Sequence, residues 1–195
     1  EVTMEPEYGW LCIESIGHAG TNVHVSTTKG SVDSDFSISI LTLDGQDVPG
    51  CSYQAGTVPG KIRLQEGSYR LEVASSNIND WRSAFSGKGA AAYKAQGQFD
   101  IEADMYRYVK IQAPLVNYGV RFAVDNGLYK WFKSFSIDVT ESQTRKVLLL
   151  ENECGWFDAP SVSVVISATN TDGDCFQSSP LNLDTQAGHL YTLHY

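Results

Sequence analysis

Apolar residues recur at every second position through most of this chain. Phe36, Ile38 and Ile40 alternate with Ser37 and Ser39, and Ile62 and Leu64 with Lys61 and Arg63. Tyr69, Leu71 and Val73 alternate with Arg70, Glu72 and Ala74, and Phe99 and Ile101 with Asp100 and Glu102. The second half repeats the pattern in Tyr118–Val124, Phe135–Val139, Val162–Ile166 and Tyr191–Tyr195. Side chains two apart share a strand face, so each run predicts a strand with one face in a core and one in water. Val147–Leu150 is apolar without interruption and predicts a central strand covered on both faces.

Turn chemistry falls between the runs. Asp44-Gly45, Gln65-Glu66-Gly67, Asp125-Asn126-Gly127 and Asp172-Gly173-Asp174 each fit a reversal, because glycine takes positive φ without steric cost. No amphipathic helix of useful length is evident. Asn79–Ser86 is the best candidate, and predicts a crossover loop with at most one or two helical turns.

The predicted strands lie near residues 9–14, 22–26, 35–43, 60–64, 68–75, 97–102 and 105–112. They continue at 115–124, 134–140, 145–151, 161–168, 177–183 and 189–195. Such spacing suggests β-sandwiches, and 195 residues suit two of them. The join is expected near Ala113-Pro114, giving an N-terminal sandwich over 1–113 and a C-terminal one over 114–195. The second shows one strand fewer, so an unpaired edge able to accept a strand from another subunit is one expectation.

Charge narrows the partners. The formal net charge is −9 and the basic residues are scattered singly, which argues against nucleic acid and against anionic lipid. No apolar run approaches the ~20 residues that span a bilayer as a helix. The opening Glu1-Val2-Thr3-Met4-Glu5 is polar and acidic, so the expectation is a cytosolic protein or one cut from a longer precursor.

Candidate chemistry is sparse. Cys12, Cys51, Cys154 and Cys175 form no CxxC pair; Cys154 and Cys175, both in turn-rich segments, are the more plausible disulfide, against four free thiols. His18 and His24, and His189 and His194, are not spaced to share a metal. Asp33-x-Asp35 and Asp172-Gly173-Asp174 lack the ligand sequence of a calcium loop and read as turns. No cofactor and no catalytic motif is implied. Trp10 is expected in the core. Trp81, Trp131 and Trp156 fall in loops or at strand ends, where an aromatic ring either caps a sandwich core or meets a ligand.

One ordered set of landmarks runs through the chain. It comprises Gly9-Trp10-Leu11, Asp35–Ile40 leading to Asp44-Gly45, Ile62-Arg63-Leu64, Glu66–Leu71, and Trp81 with Ala84-Phe85. Leu115–Val120, Phe132–Val139 and Cys154-Gly155-Trp156-Phe157 complete it. In this order the set resembles a domain-of-unknown-function family of exported lipoproteins from Bacteroides-type anaerobes, itself similar to fimbrial adhesin and anchor proteins. Relatives tend to carry proline and a shorter link where this chain has Ser86–Tyr93.

The resemblance implies an all-β chain of two tandem antiparallel, transthyretin-like Greek-key sandwiches. It also implies a non-enzymatic surface protein, exported to the outer membrane or cell surface and held there through a lipid anchor removed from this sequence. Implied partners are other surface or fimbrial subunits, or a protein or glycan ligand on a host or neighbouring cell. A carbohydrate-binding surface lipoprotein serving polysaccharide uptake is the alternative. The family supplies no catalytic residue.

Overall fold

The computed structural model describes residues 6–19 and 35–195, and within them the protein is built of strands and turns. The strand expected at 22–26, with His24 and Asp33, lies outside the described residues. Two compact units emerge. The first holds residues 6–19, 35–79 and 93–114, and the second holds 80–92 and 115–195.

The first unit comprises β1 (Tyr8–Ala19), β2 (Phe36–Thr42), β3 (Asp47–Tyr53), β4 (Ile62–Gln65), β5 (Gly67–Ser75), β6 (Lys94–Ile101) and β7 (Tyr106–Pro114). They form a three-stranded sheet in the order β4-β1-β7 and a four-stranded sheet in the order β3-β2-β5-β6. Leu11, Ile13 and Ile16 of β1, Ile62 and Leu64 of β4 and Ile111 of β7 are buried. So are Ile38, Ile40, Leu71, Val73 and Phe99 from the other sheet. A bulge between Ile13 and Ser15 resets the alternation, which is why the inward residues of β1 are spaced by two and then by three.

The second unit comprises β8 (Tyr118–Ala123), β9 (Phe132–Ser142), β10 (Arg145–Leu150), β11 (Cys154–Phe157), β12 (Ser161–Asn170), β13 (Cys175–Gln177), β14 (Leu181–Asp184) and β15 (Leu190–His194). Its sheets run β11-β8-β15 and β10-β9-β12, with β13 and β14 each pairing part of β12. Tyr118, Val120, Phe122, Phe135, Ile137, Val139, Leu149 and Phe157 make its core. Burying each such side chain contributes about 1.5–3 kcal/mol.

Numbered from their own first strands, the two units have one strand order. β8 stands where β1 does, β9 where β2 does, and so on to β15 where β7 does, with β13 and β14 sharing the position of β6. The second unit therefore has no missing strand among the described residues, and the edge expected from its lower count is not there. Two features hid this. β11 is short and its Cys154-Gly155-Trp156-Phe157 has no charged or hydroxyl residue to mark an outer face, and the run read as 177–183 is two short strands. In the first unit β3 escaped notice because Pro49-Gly50 interrupts it, which an edge strand tolerates.

Three further expectations are corrected. The sheets are mostly antiparallel, but β1 pairs β7 in parallel and β8 pairs β15 in parallel. β10 is an edge strand, not a central one; Val147 and Leu149 are buried while Leu148 and Leu150 face solvent. All four cysteines are free, so Cys154 and Cys175 are not bridged. The Asp172-Gly173-Asp174 turn is held by Asn170, which bonds the Asp174 amide at 2.8 Å. The only helical element described is a 3-10 turn at Asn126–Lys130; Ser76–Lys88 is a run of turns.

Candidate functional site

The segment 80–92 is tied into the second unit along its whole length. Trp81 is 5% exposed. The Arg82 and Arg145 guanidinium carbons lie 4.6 Å and 5.4 Å from its ring centre. Arg82 pairs with Asp158. Arg145 also stands 4.9 Å over the Phe157 ring, donates to the Gly87 carbonyl at 3.4 Å and bonds Glu141 at 2.7 Å. The other oxygen of Glu141 accepts the amides of Asp158 and Ala159 at 2.8 and 3.0 Å.

Further along, Lys88 pairs with Glu153 at 2.5 Å, and the Trp156 amide donates to the Lys88 carbonyl at 2.7 Å. Asn117, fully buried, closes the segment by donating to Ala90 at 2.8 Å and accepting from Ala92 at 3.2 Å. The segment thus walls an open groove of about 780 Å³ against β10, lined by Arg82, Ser86, Lys88, Leu148, Leu150 and Glu153 among others.

Phe85 and Ser86 hold left-handed backbone at φ 49° and 57°, a conformation that costs a residue with a Cβ about 1–2 kcal/mol. Phe85 itself is 74% exposed. Ser86→Gly is expected to raise the unfolding free energy by a few tenths to about 1 kcal/mol in denaturant titration, since glycine removes the steric cost but adds unfolded-state entropy. A loss of stability would show that the turn carries no strain.

The ionisable groups here are set for structure. Burial opposes the charge on Glu141, but Arg145 and the two amides outweigh it and hold its carboxyl below the usual range. The Leu150 amide and Lys88 do the same for Glu153. Burial pushes the Cys154 thiol up to about 11, so it stays protonated at neutral pH. A general base near pH 7 needs the opposite shift in its carboxylate, and a cysteine nucleophile needs a lowered thiol.

Trp81 and Trp156 are therefore brought to one region by the segment 80–92. Trp156 is half-buried on β11, its ring passing over Gly119 of β8. Trp131 is separate. It ends the 3-10 turn, donates its amide to Leu128 at 3.0 Å and is 70% exposed.

A second aromatic group, in the first unit, was not foreseen. Trp10 is not in the core, because Leu11 and Ile13 take the inward positions of β1. Its ring is near-parallel to Tyr106 (6.4 Å, 16°), and Tyr106 to Tyr108 (6.4 Å, 23°). Lys61 lies 4.6 Å from the Trp10 ring centre and Arg63 lies 4.0 Å from that of Tyr8. The signal was present in β7. Buried Ile111 and Ala113 make odd positions inward, so Tyr106 and Tyr108 point out.

Together these observations describe an all-β protein with several large rings exposed and with Glu141 and Glu153 holding the segment 80–92 in place. The chain belongs to the family described as "Domain of unknown function (DUF4493)", which matches residues 7–195. No curated protein matches it. In fold it is similar to a "putative cell adhesion protein" from Bacteroides fragilis NCTC 9343, with 10% identity, a TM-score of 0.53, and 94% of this chain and 92% of that one covered. It is similar also to a "putative cell adhesion protein" from Bacteroides uniformis ATCC 8492, with 13% identity, a TM-score of 0.54, and 96% and 93% covered. At such identities the likeness is one of fold.

Proposed function

We propose that this chain is a non-enzymatic cell-surface protein whose work is contact, as an adhesion or fimbria-associated subunit. The observation that carries this reading is the set of large rings held in water by rigid strands and turns. Tyr106 and Tyr108 are 50% and 59% exposed, beside Phe85 and Trp131 already described. A chain free to hide these rings in its core would gain by doing so, and exposed Tyr and Trp are the residues that anchor interfaces. Fold likeness to two structures described as adhesion proteins supports it.

In the same proposal the protein is exported and stands at the outer membrane through a lipid anchor. It carries two tandem transthyretin-like sandwiches. Its partners are surface or fimbrial subunits, or a ligand on a host or neighbouring cell. Trp131 and Trp156 are the contact residues of the second unit, with Trp81 holding the segment 80–92 beside Trp156. The aromatic row of the first unit favours a second reading, carbohydrate binding in polysaccharide uptake.

The test is attachment. Beads coated with the full chain are expected to retain cells of the source or a neighbouring species above beads coated with an unrelated acidic protein. Equal retention would remove the contact reading.

A further inference from the structure

We infer that the outer face of the β4-β1-β7 sheet is a platform for an acidic polysaccharide, its pyranose rings meeting Tyr106 and Tyr108 and its carboxylates meeting Lys61, which lies over Trp10, and Arg63, which lies over Tyr8. The inference rests on the contact reading above and names the ligand.

Register places the groups. Trp10 sits across from Arg63 on β4 and from Tyr106 on β7, Cys12 across from Tyr108, and Tyr8 across from Gln65. All lie on the side of the sheet opposite Leu11, Ile62 and Ile111, which are buried. The three rings follow one another at an equal 6.4 Å. On the same face lie Gln65, Lys110 and Gln112, and the exposed Met105 precedes Tyr106 at one end of the row. A protein interface of standard build has a contiguous apolar centre. A row of rings with polar flanks suits instead a ligand that is itself apolar on its ring faces and polar at its rim, which describes a sugar chain.

The charges decide the kind of sugar. Lys61 and Arg63 make no ion pair among the described residues; each is held over an aromatic face. Lys110, on the same sheet, is satisfied by Glu14 at 3.1 Å. Among the described residues, two cations without carboxylates thus flank the row, on a chain whose net charge is −9. At physiological salt the screening length is about 8 Å, so this pair acts locally while the distant negative charge is damped. An anion that also stacks is selected over one that relies on charge alone.

The platform is preformed. β1 is bonded on both sides, the Trp10 amide donates to Met105 at 2.9 Å, and the Asp104 amide donates to Tyr8 at 2.9 Å. Between Tyr8 and Trp10, Gly9 lets this turn approach; a Cβ there would stand 2.2 Å from the Glu102 carbonyl oxygen. Little ordering remains to oppose binding.

The experiment is affinity electrophoresis and titration calorimetry of the full chain with polygalacturonate, hyaluronate and neutral amylose. Binding to at least one acidic polymer, stronger than to amylose, is expected. Y106A/Y108A should weaken it about tenfold with the unfolding midpoint unchanged. K61Q/R63Q should weaken acidic binding and flatten its salt dependence. No retardation by either acidic polymer, or retardation unchanged in Y106A/Y108A, overturns the platform. Equal binding to amylose, undiminished by K61Q/R63Q, overturns its preference for acid. If bead attachment persists in Y106A/Y108A while no polymer binds, the platform falls and the contact reading stands. A protein partner lost in Y106A/Y108A overturns the glycan.

Discussion

Glu141→Ala is expected to destabilise the second unit by about 3–5 kcal/mol, the usual cost of leaving a buried charge without its partner. The side chains of Glu141 and Arg145 are only 8% and 15% exposed. Removing the carboxylate strands the Arg145 guanidinium between the Trp81 and Phe157 rings. It also releases the Asp158 and Ala159 amides that Glu141 accepts. Denaturant titration measures the loss, and a change under about 1 kcal/mol would mean water replaces the carboxylate at little cost.

The same group gives an acid limb. Its folded pKa lies below the unfolded carboxyl value, about 4.3 for glutamate. Between the two values the unfolded chain holds more protons, so stability falls as pH falls. The contribution of Glu141 is complete above the unfolded value and is lost as pH drops through the folded one. The wild-type unfolding midpoint should therefore decline below about pH 4, and Glu141→Gln should decline less steeply there. Parallel slopes in the two proteins would assign the acid sensitivity elsewhere.

Trp81→Ala carries the other large effect, about 3–5 kcal/mol, as for a buried tryptophan removed without collapse of its site. Its ring is the apolar anchor of the segment 80–92, and its carbonyl accepts the Ala90 amide at 2.9 Å. Loss of the ring should also expose Arg82 and Lys88 in this segment to trypsin before global unfolding. Denaturant titration and limited trypsinolysis together separate the two fates of a loop aromatic. A variant that keeps full stability and protection but loses attachment would make Trp81 a contact residue and not an anchor.

How far the residues alone could lead depended on what each element owed to its neighbours. The strands with five or more alternating positions were legible, because burial of one face imposes period two whatever lies across it. Phe36–Thr42 and Gly67–Ser75 are such elements. β10 misled because four consecutive apolar residues look alike whether one face is covered or both. Leu148 and Leu150 remain in water because they lie on the face of the sheet opposite the core that buries Val147 and Leu149. The candidate site was half legible. Trp81 and Trp156 stand out in the sequence as aromatics in loops or at strand ends, yet Arg145, Glu141 and Asn117, which hold their region together, lie far off in the chain and carry no local signature. Trp10 was misplaced because Gly9-Trp10-Leu11-Cys12 gives no decisive parity; which of Trp10 and Leu11 turns inward is set by pairing with β4 and β7.

The amino-acid order by itself therefore determined that this is a strand-built chain, where its clear reversals fall, and which side chains of its clearly alternating strands avoid water. Only the tertiary structure decided that β1 and β7, and β8 and β15, run parallel, that residues 80–92 pack with the second unit, and that an aromatic row faces outward. The reason is range. Alternation and turn preference are properties of neighbouring residues. Strand direction, partner choice and the side a bulky ring takes are settled by contacts between residues far apart in the chain.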